Sequence, residues 1–427
     1  MKHSNKTIAL LFILLAQLAI VPSARAQEFI REVRNHHDRN SIIHEYKQGA
    51  WLVCNYNMGK SVFSMITETG TNTQQLVLGY IPDSDSLLIS DFKIFQDTVY
   101  FCGTVWFKRT PQAVWGYFPL SGFPSSTTVH YNLRPYVNFK KLEVFSVDSS
   151  MNEIHVVITG MQGSYVSGIV VDEMRTSPHQ YTEFLLEGGF GFSNITDMIQ
   201  IENYIVFSVL PNLLYSFNAE LVSFEKPTTI GVSVFSCLAQ RAYLPYNFQN
   251  VLLEPCTGDA FAIVGNNEAG CYVTGMLSPL SYYATVYFPL GKFYILDVCY
   301  NKDSKELELL RSPGDMIYHV HSIMALAGGT IPYYLYPEDK LKSISYLNTM
   351  PDYFIASGHE ASTSLLRVYR YHGNLIQRCF ERGAINCEPI EIPWDPRQIE
   401  TPYKSSTIEM IPLESFPYVT PINFICE

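Results

Sequence analysis

Trp51-Leu-Val-Cys-Asn55, Val99-Tyr-Phe-Cys-Gly103, Val156-Val-Ile-Thr-Gly160, Tyr204-Ile-Val-Phe-Ser208, Phe261-Ala-Ile-Val-Gly265, Leu307-Glu-Leu-Leu-Arg311 and Tyr353-Phe-Ile-Ala-Ser357 are seven versions of one short apolar strand. Their last residues are separated by 48, 57, 48, 57, 46 and 46 positions. A period of about 50 residues matches a four-stranded unit with its turns.

The flanking sequence repeats in step. Before the apolar strand come Ile89 to Phe95, Leu142 to Val147, Ile195 to Ile201, Tyr294 to Tyr300 and Leu341 to Leu347. After it come Val62 to Ile66, Val114 to Phe118, Tyr165 to Val171, Leu213 to Phe217, Cys271 to Met276, Met316 to Val320 and Leu365 to Tyr371. Fourth-strand candidates are Leu76 to Ile81, Leu221 to Glu225 and Ala284 to Phe288. Such a unit cannot bury both faces alone, whereas units stacked radially bury each sheet against the next and leave only short edges. The expected fold is all-β: a β-propeller of about seven four-stranded blades, with six or eight blades or paired β-sandwiches as alternatives. The segment Phe29 to Val33 is expected to complete the last unit and join the two ends.

Composition agrees with this reading. Charged residues are 16% of the chain and aromatics 14%, a balance that suits half-buried pleated surfaces and excludes a disordered chain. No helical periodicity of useful length follows the first 26 residues.

Those 26 residues read as an export signal. Lys2 and Lys6 precede an apolar run from Ile8 to Val21, broken only by Gln17, and then Ala24-Arg25-Ala26 offers a small-residue cleavage site. The run is shorter than the roughly 20 residues that span a bilayer, and no later stretch is long enough. Three domains are expected: signal peptide 1–26, propeller 27–374, and a Pro- and Cys-containing extension 375–427 that wraps the propeller. Cleavage after Ala26 predicts a periplasmic, cell-surface or extracellular protein with no membrane span. Loss of the leader's three positive charges makes the formal charge more negative than the −11 of the full chain, which disfavours nucleic acid as a partner.

Nine cysteines in an oxidising compartment leave at least one outside an intramolecular disulfide. Cys379 and Cys387 bracket a polar loop and are the expected disulfide. Cys54 and Cys102 sit at matching positions of successive units, where facing sheets stand about 10 Å apart, too far for a disulfide. They are expected to be buried thiols.

Glu268-Ala-Gly-Cys-Tyr-Val-Thr-Gly275, followed by Phe288-Pro289, resembles the Tyr-Val-Thr-Gly strand of secreted bacterial β-propeller repeat proteins. The resemblance covers one repeat of seven. It implies the fold and carries no catalytic residue.

Asp91, Asp197 and Asp297 occupy near-equivalent places in the strand before the apolar one. If these strands line an axis, the three carboxylates converge on a channel and could serve, with Glu143, as acid and base on a glycan. The plainer alternative is that each accepts backbone hydrogen bonds at a blade turn, and threefold repetition favours it. His319 and His321 share one face of a strand and are two candidate metal ligands, short of the three or four such a site needs. Trp106, Trp115, Tyr282 and Tyr283 are expected on ring-face loops, where they could stack on sugars or anchor a protein partner. No Gly-x-Ser-x-Gly elbow, His-Glu-x-x-His or phosphate-cradling loop occurs, and no cofactor is implied.

Three functions follow: a binding or scaffold module for protein or glycan, a glycan-active hydrolase or lyase built on channel carboxylates, or a structural part of a cell-surface assembly. The absence of catalytic signatures favours the first.

Overall fold

The structure is a computed structural model. It describes residues between Phe29 and Asn423; residues 1–28, 219–237, 321–329, 373–380, 393–404, 413–421 and 424–427, and a set of shorter connections, lie outside the described residues.

After β1 (Phe29–His37), the described strands form seven sheets in chain order. The first holds β2 (Ser41–Lys47), β3 (Ala50–Asn57), β4 (Lys60–Ile66) and β5 (Thr73–Leu78). The second holds β6 (Ser86–Phe95), β7 (Thr98–Phe107), β8 (Thr110–Pro119) and β9 (His130–Pro135). The third holds β10 (Asn138–Ser146), β11 (Ile154–Gln162), β12 (Tyr165–Asp172) and β13 (Gln180–Leu186). The fourth holds β14 (Ile195–Ile201), β15 (Tyr204–Val209), β16 (Leu213–Asn218) and β17 (Leu238–Tyr243). The fifth holds β18 (Asn250–Pro255), β19 (Ala260–Asn267), β20 (Gly270–Leu277) and β21 (Ser281–Phe288). The sixth holds β22 (Ile295–Asn301), β23 (Glu306–Arg311), β24 (Met316–Val320) and β25 (Thr330–Tyr333). The seventh holds β26 (Asp339–Tyr346), β27 (Tyr353–Glu360) and β28 (Leu365–His372), and its fourth strand is β1, antiparallel to β28 with Ile30 opposite Tyr369.

The first strands of the sheets form a closed circle. β2 touches β6, each first strand touches the next, and β26 touches β2 again. The seven apolar strands quoted above are β3, β7, β11, β15, β19, β23 and β27, one per sheet. One sequence expectation is corrected: Leu221 to Glu225 lies outside the described residues, and the fourth strand of its sheet is β17. That strand reads Leu-Ala-Gln-Arg-Ala-Tyr, with two polar residues at its centre, so its hydrophobicity does not announce it.

Packing between neighbouring sheets supplies the core. Phe63 of the first sheet lies edge-on to Phe92 and Phe118 of the second, with ring centroids 5.3 and 5.1 Å apart. Tyr100, Cys102 and Trp115 of the second sheet pack on Phe139, Leu142 and Ile158 of the third. Ile43, Trp51 and Val53 of the first pack on Leu347 and Ile355 of the seventh, so the seam between the ends of the ring is as apolar as the others. Each fully buried side chain of this size contributes about 1.5–3 kcal/mol.

The glycine that ends several apolar strands has a steric cause. A β-bulge lies between Ile89 and Asp91 in β6, and between Phe139 and Lys141 in β10. A Cβ at Gly103 would come within 2.1 Å of the Leu88 carbonyl oxygen, and one at Gly160 within 2.1 Å of that of Asn138. No side chain fits between the bulged strand and its neighbour.

Five short strands follow the ring, each parallel to the outer strand of a sheet. β29 (Glu381–Ile385) pairs with β1, β30 (Ile390–Ile392) with β5, β31 (Ser405–Thr407) with β13, β32 (Glu409–Pro412) with β17, and β33 (Ile422–Asn423) with β21. The C-terminal chain therefore travels round the rim.

Candidate functional site

A cavity of about 570 Å³ is lined by residues from the first strand of every sheet, which places it on the axis of the ring. Strand alternation explains its chemistry. Residues two apart share a face, so Asp91 and Lys93 of β6 look the same way, as do Lys141 and Glu143 of β10. All four line the cavity, with Asp197, Glu254, Asp297 and His44.

The three aspartates are brought round one cavity, as the sequence suggested, and each is hydrogen-bonded twice or more. Asp91 accepts the N–H of Phe92 at 3.0 Å and that of Leu142, in the next sheet, at 3.1 Å. Asp197 accepts from Met198 at 3.0 Å and from Leu253, again in the next sheet, at 2.8 Å. Asp297 accepts from Val298 at 3.0 Å, from Ile344 at 2.8 Å and from the Ser343 hydroxyl at 2.7 Å. In each case one bond stays within the strand, to the next residue, and the others cross to the first strand of the next sheet; none is at a turn. Each is charge-assisted, worth about 1.5–3 kcal/mol.

Other polar pairs reinforce the seam between the second and third sheets and close the remaining ones. Lys93 Nζ lies 2.7 Å from Glu143 Oε1, and Lys141 Nζ 2.9 Å from Asp197 Oδ1. Glu254 accepts the Tyr300 N–H at 2.8 Å. Glu45 accepts the N–H groups of Asn348 and Thr349 at 2.7 and 3.0 Å, tying the first sheet to the seventh. Tyr46 donates to Asp97 at 3.3 Å, and Lys47 pairs with the same carboxylate, across the first and second sheets.

Burial sets the protonation of the lining. It pushes Glu254 up to about 8, helped by the nearby Asp297 and Asp197, and Asp297 up to about 6. Glu143 is also raised by burial, against the pull of Lys93. The Lys93 and Lys141 ammonium groups are held above the ordinary lysine value because their carboxylate neighbours outweigh burial. His44 is lowered to about 3 by burial and by the two lysines, so its ring is neutral.

Other sequence candidates fall elsewhere. Trp115 stands in the middle of β8 at 1% exposure, packed between sheets, so its expectation as a loop-borne ligand contact is corrected: its position in a strand facing the next sheet makes it core. Trp106 is half-buried near the end of β7, also in a strand. Tyr282 and Tyr283 belong to β21, not to a loop. His319 is in β24, while His321, Cys379 and Cys387 lie outside the described residues. Among the described residues no group of three or more His, Cys, Asp or Glu is placed to hold a metal ion, and no helix is long and apolar enough to cross a membrane. Cys54 and Cys102 are free, buried thiols.

Sequence reasoning missed His44, Lys93, Lys141 and Glu254. β2 and β18 were not recognised as first strands, which hid His44 and Glu254. Lys93 and Lys141 were legible: Lys93 follows Asp91 by two residues and Lys141 precedes Glu143 by two, so each shares its partner's face.

No protein-family model matches the chain, and no curated protein matches it. Among solved structures it is similar to the Cps50 (Swd1) β-propeller domain of Myceliophteria thermophila, at 8% identity over 81% of this chain and 99% of that one, with a TM-score of 0.55. It is also similar to Raptor of Chaetomium thermophilum, at 9% identity over 83% of this chain and 30% of that one, with a TM-score of 0.51. The fold is that of a β-propeller. At such identities the likeness extends to architecture and not to chemistry.

Proposed function

We propose that the protein is an exported, non-catalytic β-propeller that binds a protein or glycan partner. One observation carries this reading: each of the three axial aspartates gives one oxygen to the backbone N–H of the residue after it and the other to a backbone N–H of the next sheet. An acid or base must be able to exchange its proton with a substrate, and these carboxylates are engaged in holding the ring. Export rests on the leader alone: the basic residues, the apolar run and the Ala24-Arg25-Ala26 site.

The test is a glycan array probed with residues 27–427, run beside reducing-end and unsaturated-product assays on the same glycans and a cross-linking screen for protein partners on the producing cell. Binding without bond cleavage is expected. Product release that scales with protein and disappears in Asp91→Asn or Glu143→Gln would overturn the reading in favour of a hydrolase or lyase. Export is checked by sequencing the N-terminus of the mature chain, which should begin at Gln27.

A further inference from the structure

The hairpin of β7 and β8 ends in two cations that the ring does not use. Phe107 stands opposite Thr110, so Lys108 and Arg109 form a two-residue loop, with φ of 48° and 72°. Two positive φ values in such a loop are the pattern of a type I′ turn, whose usual occupants are Asn-Gly. Residues with long side chains are strained there. The equivalent turn of the first sheet meets the demand with a glycine, Gly59, at φ 87°. Gln96 and Asp97 are held like Lys108 and Arg109, at φ 45° and 59°, but their strain has a use in the ring: Asp97 takes the Tyr46 hydroxyl and the Lys47 ammonium of the first sheet. Lys108 and Arg109 are exposed, and neither side chain has a hydrogen-bond or ion-pair partner among the described residues. Strain kept where the fold gains nothing from it points to a function outside the fold.

The tip is braced. The Asp85 N–H donates to the Trp106 carbonyl at 2.7 Å, and the Arg109 N–H donates to Asp85 Oδ2 at 3.3 Å. Phe107 packs on the apolar cluster between the first and second sheets. Strand alternation puts Trp106 on the opposite face, that of Thr104, whose hydroxyl donates to Asn138 Oδ1 of the third sheet at 3.0 Å. Burial on that face ends toward the tip. Cys102, Thr104, Ala113 and Trp115 are buried, whereas Trp106 is half-buried and Pro111, opposite it, is exposed. An indole, a proline ring, an ammonium and a guanidinium therefore meet at one exposed and preorganised tip.

The chain as a whole carries a formal charge of −11, so an acidic partner is repelled by the molecule at large and drawn only to a local excess of cations, where Lys108 and Arg109 outnumber Asp85. A guanidinium holds a carboxylate by two parallel hydrogen bonds, and Trp and Arg are enriched among the side chains that dominate protein–protein affinity. Sugars and other small ligands occupy concave sites, which a hairpin tip lacks; an extended peptide can lie along it. We infer that the β7–β8 tip docks an acidic polypeptide segment, with Lys108 and Arg109 pairing its carboxylates and Trp106 and Pro111 receiving an apolar side chain beside them. This rests on the reading of the protein as a binding module and names the partner as a protein.

The test is fluorescence anisotropy of residues 27–427 with short labelled peptides in which Asp and Glu flank one Leu, Phe or Tyr. The same peptides with Asn and Gln in place of the acids, and a labelled oligogalacturonate as an acidic glycan, are the comparators. At least one acidic peptide should bind with a Kd below about 1 mM, more tightly than its amide counterpart and the glycan, and more weakly as salt is added. Lys108→Asn combined with Arg109→Gly installs the residues that the turn prefers. That double variant should melt at the wild-type temperature or above it, and bind the peptide at least tenfold more weakly. Trp106→Ala should weaken binding at least threefold; if it does not fold, the double variant decides alone. Absence of binding by every acidic peptide overturns the inference, as does tighter binding of the glycan. Peptide binding that survives either folded variant also overturns it. A cell-surface partner that cross-links equally to the double variant removes the tip and keeps the wider binding reading, whereas failure of the array and of the partner screen removes the wider reading.

Discussion

Lys141 Nζ lies 2.9 Å from Asp197 Oδ1, and the other oxygen of Asp197 holds the N–H of Leu253, so one carboxylate ties three successive sheets together. The ring is thus fastened at its axis by charge as well as by apolar packing between sheets. Removing the carboxylate leaves a lysine and two backbone donors without their acceptor.

Asp197→Ala is expected to destabilise the fold by about 3–5 kcal/mol, the cost of stripping one partner from a largely buried pair. Asp197→Asn keeps an acceptor and should cost less. Urea unfolding followed by far-UV circular dichroism gives both values. A loss below about 0.5 kcal/mol for the alanine variant, the usual size of a surface substitution, would mean that the axial bonds are ornamental.

Stability should fall as pH rises from about 4 to 8. The folded chain holds protons on Asp297 up to about pH 6 and on Glu254 up to about pH 8, where the unfolded chain releases them near 3.8 and 4.5. Their contribution is therefore fully present below about pH 4 and is lost as pH passes through the folded values. His44 has the opposite sign: lowered from 6.5 to about 3, it opposes folding progressively as pH falls through that interval. Melting temperatures across pH 5–9 read the balance, and Glu254→Gln should flatten the fall between about pH 5 and 8. A wild-type curve that rises through pH 8 would contradict the assignment of a protonated Glu254.

The rim strands should protect sheet edges. A chain ended at His372 loses β29 to β33 and bares the outer edges of β1, β5, β13, β17 and β21. Unpaired edges invite pairing with other chains. Size-exclusion chromatography with light scattering should show self-association at micromolar concentration together with a lower urea midpoint. A truncated protein that remains monomeric and equally stable would show that the rim strands shield nothing.

The sequence made the apolar strands legible because burial on both faces leaves a continuous hydrophobic run, as in Val99 to Cys102, that needs no pattern analysis. First strands were harder to see. They carry the axial polar residues, and Asn250 to Pro255 ends in Glu-Pro, which reads as a turn. The three aspartates share one position of the repeat, but the partner of one oxygen of each is a backbone N–H contributed by the next sheet, about 50 residues away, and no local spacing encodes such a contact. Trp115 misled because aromatic residues fill interfaces between sheets as readily as they crown loops. The rim strands are only two to five residues long and gain their form from the edges they meet, so their own sequence does not specify them.

Pairing of β1 with β28 joins the two ends of the ring, and cysteine cross-linking reads it directly. The register sets Ile30 opposite Tyr369 and Arg31 opposite Val368. Successive antiparallel pairs alternate between wide and close Cα spacing, so one of the two double-cysteine variants presents a geometry that a disulfide can bridge. Mass spectrometry of unreduced peptides should find the bond between positions 30 and 369 or between 31 and 368, in a protein that still melts in one transition. Absence of both links, with residues 29–37 open to proteolysis in the folded protein, would contradict a closed ring.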